Sequence, residues 1–162
     1  MHCPRRRERQ IGIRDSYEEK LVLYVKKGHT FSFSKMADLK GKKVGLNFCW
    51  SYGDAIDSAR KAGLFKADDS VKNNLANFRK LIGERIDCFI VDELAARRII
   101  SRQGFGDLVE PLGNPVSINA GYLVFLKTLK QKTLRDEFNR GMERLRNEGG
   151  YEVIIESVIL KP

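Results

Sequence analysis

The chain has 162 residues, 42% hydrophobic and 31% charged with four prolines, a composition that suits one domain-sized globular unit and excludes a disordered or collagen-like chain. Its longest apolar run, Val153 to Leu160, is interrupted by Glu156 and Ser157 and falls short of the ~20 residues of a membrane-spanning helix. The formal charge is +9, with 30 Lys and Arg against 21 Asp and Glu, but outside an arginine-rich start it is scattered in pairs such as Lys26-Lys27, Lys42-Lys43 and Arg97-Arg98, with neither the basic helix face nor the interleaved aromatics of a nucleic-acid binder.

The start, Met1-His2-Cys3-Pro4-Arg5-Arg6-Arg7, is basic but has no apolar stretch behind it, so no secretory signal is present in the sequence as written. That fits either a cytosolic protein or a reading frame without its true beginning. Cys3, Cys49 and Cys88 are odd in number and widely spaced, with only His2 and His29 to join them, so neither a zinc site nor a disulfide framework is expected. Cys88 lies in an apolar run and reads as a small buried hydrophobe.

In chain order, Leu21 to Val25 is apolar and β-prone and is closed by Lys26-Lys27-Gly28, which predicts a strand. Ser32 to Asp38 is polar with a short helical turn, ended by Gly41. Lys43 to Asn47 predicts a second strand, and a turn runs from it through Ser51-Tyr52-Gly53. Ala55, Ile56, Ala59 and Ala62 then recur at helical spacing, with Gly63 at the stop. A second helix is predicted over Leu75 to Ile82, with Leu75, Phe78, Leu81 and Ile82 on one face.

Asp87 to Val91 is a continuous apolar strand, the mark of a strand buried on both faces, with Asp92 at its carboxyl end. A helix follows from Glu93 to about Ser101, broken at Gly104-Phe105-Gly106. Pro111 to Pro115 reads as a loop, and Tyr122 to Leu126 as another strand. Two tail helices complete the chain, one striped by Leu134, Phe138, Met142 and Leu145, the other by Tyr151, Ile154, Ile155, Val158 and Ile159. Apolar stripes of this kind call for something to cover them.

The alternation predicts an α/β fold with a parallel sheet and right-handed crossovers. Ligands on such sheets bind beyond the carboxyl ends of the strands, where two segments stand out. The turn Asn47-Phe48-Cys49-Trp50-Ser51-Tyr52-Gly53 leads into a helix, so backbone N–H groups and the Ser51 hydroxyl suit an anionic group; Ser51 equally suits a helix N-cap. Asp92 suits a ligand ammonium group, and it too suits a cap, for the helix opened by Glu93.

The order of these segments resembles the family 3 extracellular solute-binding proteins, the receptors of polar amino acid ABC transporters. The resemblance rests on Asp38-Leu39-Lys40-Gly41-Lys42-Lys43-Val44-Gly45-Leu46, on Ser51-Tyr52-Gly53-Asp54-Ala55, on Asn77 to Ile82 with Gly83 to Asp87, and on Asp92-Glu93. It continues through Tyr122 to Phe125, Leu134 to Asn139 and Leu145 to Tyr151, and spans about Arg9 to Ile159.

It implies a type II periplasmic-binding fold present as one complete lobe, residues 28–120. Residues 1–27 are then a remnant of the first lobe with the first hinge strand, and residues 121–162 the return strand and the first lobe's C-terminal helices. The rest of the first lobe is missing, so the chain resembles a truncated receptor.

Residue by residue, Asn47, Ser51 and Tyr52 match family positions that contact ligand, Asp92 matches the carboxylate that receives the α-amino group, and Trp50 is an adjacent aromatic lining the cleft. Cys49 stands where a glycine is common, and a side chain there keeps the backbone farther from a ligand. The resemblance implies an amino acid-like solute and an ABC permease as partners, a periplasmic location, no catalysis and no cofactor. Exposed stripes on the C-terminal helices imply self-association. The alternatives on the same fold are a sensory input domain of a membrane kinase and a dehydratase-like or peptidoglycan-enzyme-associated relative.

Overall fold

The computed structural model describes residues 10–12, 17–121, 124–126 and 132–160. The arginines and Cys3 of the first nine residues, the segment 13–16, and Tyr122 with Leu123 lie outside the described residues. In chain order the elements are β1 (Gln10–Gly12), β2 (Tyr17–Lys26), a 3-10 turn (Met36–Leu39), β3 (Lys43–Asn47), α1 (Asp54–Lys61), β4 (Lys66–Val71), α2 (Asn74–Ile82), β5 (Cys88–Asp92), α3 (Glu93–Gln103), β6 (Val109–Gly121), β7 (Val124–Leu126), α4 (Lys132–Asn147) and α5 (Gly150–Leu160). They divide into two compact units, Lys20–Asn119 and the combination of Met1–Glu19 with Ala120–Pro162.

The larger unit is a five-stranded sheet in the order β4-β3-β5-β2-β6. β3 runs parallel to both β4 and β5, whereas β2 is antiparallel to β5, with Leu21 opposite Asp92 and Leu23 opposite Ile90. The expected parallel sheet is therefore mixed. β2 is separated from β3 by β5, and the link that joins β2 to β3 carries only a four-residue 3-10 turn rather than the helix usual in a parallel crossover.

Alternation along the central strands builds two cores. Leu21, Leu23 and Val25 of β2 join Cys88 and Ile90 of β5, Val44 and Leu46 of β3, and Ile56 and Ala59 of α1 on one face. Val22 and Tyr24 join Phe89 and Val91, together with Phe78 and Leu81 of α2 and Ala96 of α3, on the other. Phe78 stands edge-on to both Tyr24 and Phe89, with ring centroids 5.5 and 5.2 Å away, a spacing at which aromatic quadrupoles attract. α2 lies close on β3 because position 45 has no side chain: a Cβ there falls 2.5 Å from Ile86 Cδ1 and 3.1 Å from Asn77 Oδ1.

Two strands in this sheet differ from the sequence expectation. β4, Lys-Ala-Asp-Asp-Ser-Val, is an edge strand that is largely exposed, so it carries little apolar signal. The predicted loop Pro111 to Pro115 is part of β6. β6 is the opposite edge of the sheet, where proline's missing donor is tolerated.

In the other unit, β1 pairs antiparallel with β7, Ile11 opposite Phe125. The described part of the expected 122–126 strand is β7. α4 and α5 pack on one another, with the Arg146 guanidinium 5.4 Å from the Tyr151 ring centroid. Phe138, Met142 and Leu145 of the α4 stripe are half-buried, while Leu134, Val153 and Ile154 are exposed.

Candidate functional site

β3 and β5 pair in parallel, with Val44 opposite Cys88 and Gly45 opposite Phe89. Continuing that register brings Asn47 opposite Val91, so the carboxyl ends of both strands, with Asn47 and Asp92, share one sheet edge. α1 and α3 begin from that edge, and their N-termini present the positive ends of two helix dipoles.

Asp92 is the N-cap of α3, where its side chain accepts the Ala95 N–H at 2.9 Å. It is half-buried. Capping fixes one carboxylate oxygen against the backbone and thereby sets the direction of the other.

The turn after β3 is organised by Asn47 and Tyr52, both buried. The Asn47 N–H donates to Tyr52 Oη at 2.7 Å, and the Asn47 carbonyl accepts the Trp50 N–H at 3.3 Å. The Asn47 side chain turns inward to Asn74 and Asn77 of α2. Asn47 and Tyr52 thus act as frame, while Trp50 and Ser51 are exposed on the turn. Trp50 is 50% exposed and its ring centroid lies 6.4 Å from that of Tyr52.

Ser51 is not an N-cap. That position belongs to Gly53, which makes no side-chain cap, and the Ser51 hydroxyl instead donates to Asp57 at 2.6 Å. Gly53 has φ 95, and a Cβ there would lie 3.2 Å from Asn119 Oδ1, so both conformation and space ask for glycine. Asp54 and Asp57 in the first turn of α1 temper its positive end.

Cys49 takes the left-handed conformation at φ 60. Cys88 is free and buried; burial, with the Asp87 carboxylate beside it, pushes its thiol up to about 12. Among the described residues, no group of three His, Cys, Asp or Glu side chains is placed to hold a metal ion. No described helix is long and apolar enough to cross a membrane.

Sequence reading missed Asn74, Asn77 and Asn119. The signal was available for the first two in the run Asn73-Asn74-Leu75-Ala76-Asn77, where Asn73 caps α2 by accepting the Ala76 N–H at 2.8 Å. Asn119 sits in a segment whose prolines had suggested a loop.

No family model and no curated protein matches the sequence. Solved structures do match. An ancestral arginine-binding protein bound to arginine is 24% identical, with 91% of this chain and 63% of that chain covered at a TM-score of 0.68. The GluR0 ligand-binding core from Nostoc punctiforme in complex with L-glutamate is 17% identical, covering 94% and 66% at 0.66. A binding component, described as putative, of an ABC transporter from Wolinella succinogenes complexed with lysine is 16% identical, covering 94% and 64% at 0.69.

The fold is the type II periplasmic-binding fold. Sequence resemblance and structural likeness agree on it. The neighbours are binding proteins, and the chain spans less than two thirds of the length of each of these three.

Proposed function

We propose that this chain is the solute-recognising, non-catalytic component of an ABC-type uptake system, and that it binds a polar amino acid or a similar small amphoteric solute. The observation that carries the reading is the placement of Asp92 on the same sheet edge as the turn 48–53, each at the carboxyl end of one of two parallel neighbouring strands. A crevice edge of this kind is where open α/β sheets bind ligands.

In the proposed complex the ligand ammonium group meets Asp92. Its anionic group meets the backbone at the start of α1 and the Ser51 hydroxyl, whose single proton turns from Asp57 to the ligand on binding, and Trp50 covers one side. Asn47 and Tyr52 contribute by shaping the turn. Pairing both ligand charges offsets their desolvation, and an unpaired one costs about 1–3 kcal/mol. Residues 28–120 serve as the second lobe, and the stretches 1–27 and 121–162 as parts of the first. A membrane permease is the macromolecular partner, and the periplasm the place of action. The arginine, glutamate and lysine carried by the structural neighbours support an amino acid as the ligand.

Calorimetric titration of the chain with L-arginine, L-lysine, L-glutamate and L-glutamine tests this. Asn caps a helix as well as Asp, so Asp92→Asn keeps the α3 cap and removes only the charge. The expected result is binding of at least one amino acid by the parent and a loss of about tenfold or more in the variant, equivalent to about 1.4 kcal/mol. Binding unchanged by Asp92→Asn would reduce Asp92 to a helix cap. No binding of any of the four would remove the amino acid reading.

A further inference from the structure

Three asparagines meet beneath the turn that carries Trp50 and Ser51. Asn47 Nδ2 donates to Asn74 Oδ1 at 2.6 Å, and Asn77 Nδ2 donates to Asn47 Oδ1 at 3.0 Å. Asn47 and Asn77 are fully buried. The amides form a directed chain, in which Asn77 gives to Asn47 and Asn47 gives to Asn74. Asn77 Oδ1 has no hydrogen-bond partner among the described residues. Turning that amide over would take its donor away from Asn47, so the orientation is set by Asn47 rather than by the needs of Asn77.

Asn47 is therefore held at both ends. Its side chain is fixed to α2, and its main chain receives the Trp50 N–H and donates to Tyr52 Oη. We infer that Asn74 and Asn77 are positioning residues for the turn 48–53: acting through Asn47, they set where Trp50 and Ser51 stand. The inference rests on the functional reading above only in taking the turn as ligand-facing.

The sequence supplies a probe, because Trp50 is its single tryptophan and its emission reports the turn with no ligand present. The test compares emission maximum and acrylamide quenching in the full chain for Asn74→Asp, Asn74→Leu and Asn77→Asp, with far-ultraviolet circular dichroism and thermal midpoint as measures of folding. Asn74 is an acceptor, so Asn74→Asp retains its role and should leave Trp50 as in the parent, whereas Asn74→Leu should shift emission to the red and increase quenching.

Asn77 is a donor, and a buried aspartate favours its protonated form. Asn77→Asp should therefore resemble the parent in mild acid, where the neutral carboxyl still donates to Asn47, and depart from it at neutral pH. The parent measured over the same range corrects for the carboxylates Asp57, Asp68 and Asp92. If Asn77→Asp does not fold at neutral pH, the Asn74 pair decides.

A fall in thermal midpoint with Trp50 emission unmoved in every variant would make the asparagines a core staple and overturn the inference. The reverse pattern, with Asn74→Asp perturbed and Asn77→Asp native at neutral pH, would overturn the donor order on which it depends. Titration of the same samples with L-arginine, L-lysine, L-glutamate and L-glutamine is a separate readout: absent binding of all four with the expected Trp50 pattern sinks the functional reading and upholds the positioning role.

Discussion

The Ser51 hydroxyl donates to one oxygen of Asp57 at 2.6 Å, and the other oxygen of that carboxylate accepts the Tyr52 N–H at 3.2 Å. Asp57 lies in the first turn of α1, so a single carboxylate ties the helix back to the turn that precedes it, where Gly53 supplies no side-chain cap. Both groups are near the surface, which limits the net worth of each bond. Asp57→Ala should lower stability by about 1 kcal/mol, and Ser51→Ala by about 0.5 kcal/mol. Urea denaturation of the two variants and their combination should show the double variant losing less than the sum, because one shared bond is removed twice.

Asp68 is the centre of a charge cluster between β3, β4 and α2. It pairs with Lys80, accepts the Ser70 hydroxyl at 2.8 Å, and has Lys43 Nζ at 3.3 Å. Desolvation raises its carboxyl, but the hydrogen bonds from Lys80, Ser70 and Lys43 outweigh it and hold the group well below the usual carboxylate range. A lowered folded-state value means stability that is present above the unfolded value, about 3.9, and is lost as pH falls through the folded one. Urea midpoints should therefore decline below about pH 4, and Asp68→Asn should flatten that acid limb while lowering stability at pH 7 by about 2 kcal/mol. An acid limb equally steep in the variant would assign the loss to other carboxylates.

Glu84 adopts φ 55, a left-handed conformation that side chains disfavour by about 1–2 kcal/mol. Its carboxylate pairs with Lys26 on the surface, where solvent screening leaves an ion pair little net worth. Glu84→Gly should thus leave the protein as stable or more stable, whereas Glu84→Ala keeps the strain, loses the ion pair and should destabilise. Thermal midpoints should place Glu84→Gly at or above the parent and Glu84→Ala below it.

Gly45→Ala should destabilise by about 1–2 kcal/mol through crowding of Ile86 Cδ1 and Asn77 Oδ1. Ile86→Val removes the nearer of these atoms, so the double variant should recover part of the loss. A double variant no better than the sum of the singles would place the strain at Asn77 instead.

The sequence was legible where apolar pattern and position coincide. Cys88 to Val91 announced itself as a strand buried on both faces, and Ile56 and Ala59 marked the face of α1 that packs on it, whereas Ala55 and Ala62 of the same series are exposed. Asp92 and the turn after β3 were findable because strand direction alone places them at one edge. β4 was not legible, since an edge strand can be built from Lys66, Asp68 and Asp69 when the two carboxylates find ionic partners. β6 was hidden by prolines that a central strand would reject. The inward turn of Asn47 was invisible for a different reason: an amide on a helix, such as Asn77, reads as a solvent-facing residue until the strand beneath it is seen to offer a complementary amide.

The charged edge has a consequence for the molecule in company. A sheet edge offers unpaired backbone groups to any strand that approaches, yet on β4 the Asp69 carboxylate is paired with Arg60, and Asp68 with Lys80 and Lys43, and the strand is bulged between its pairings with Gly45 and Asn47. An incoming strand would have to lie against fixed charges and a broken register. The polarity that conceals β4 from a hydrophobicity reading is thus a barrier to open-ended sheet growth at that edge.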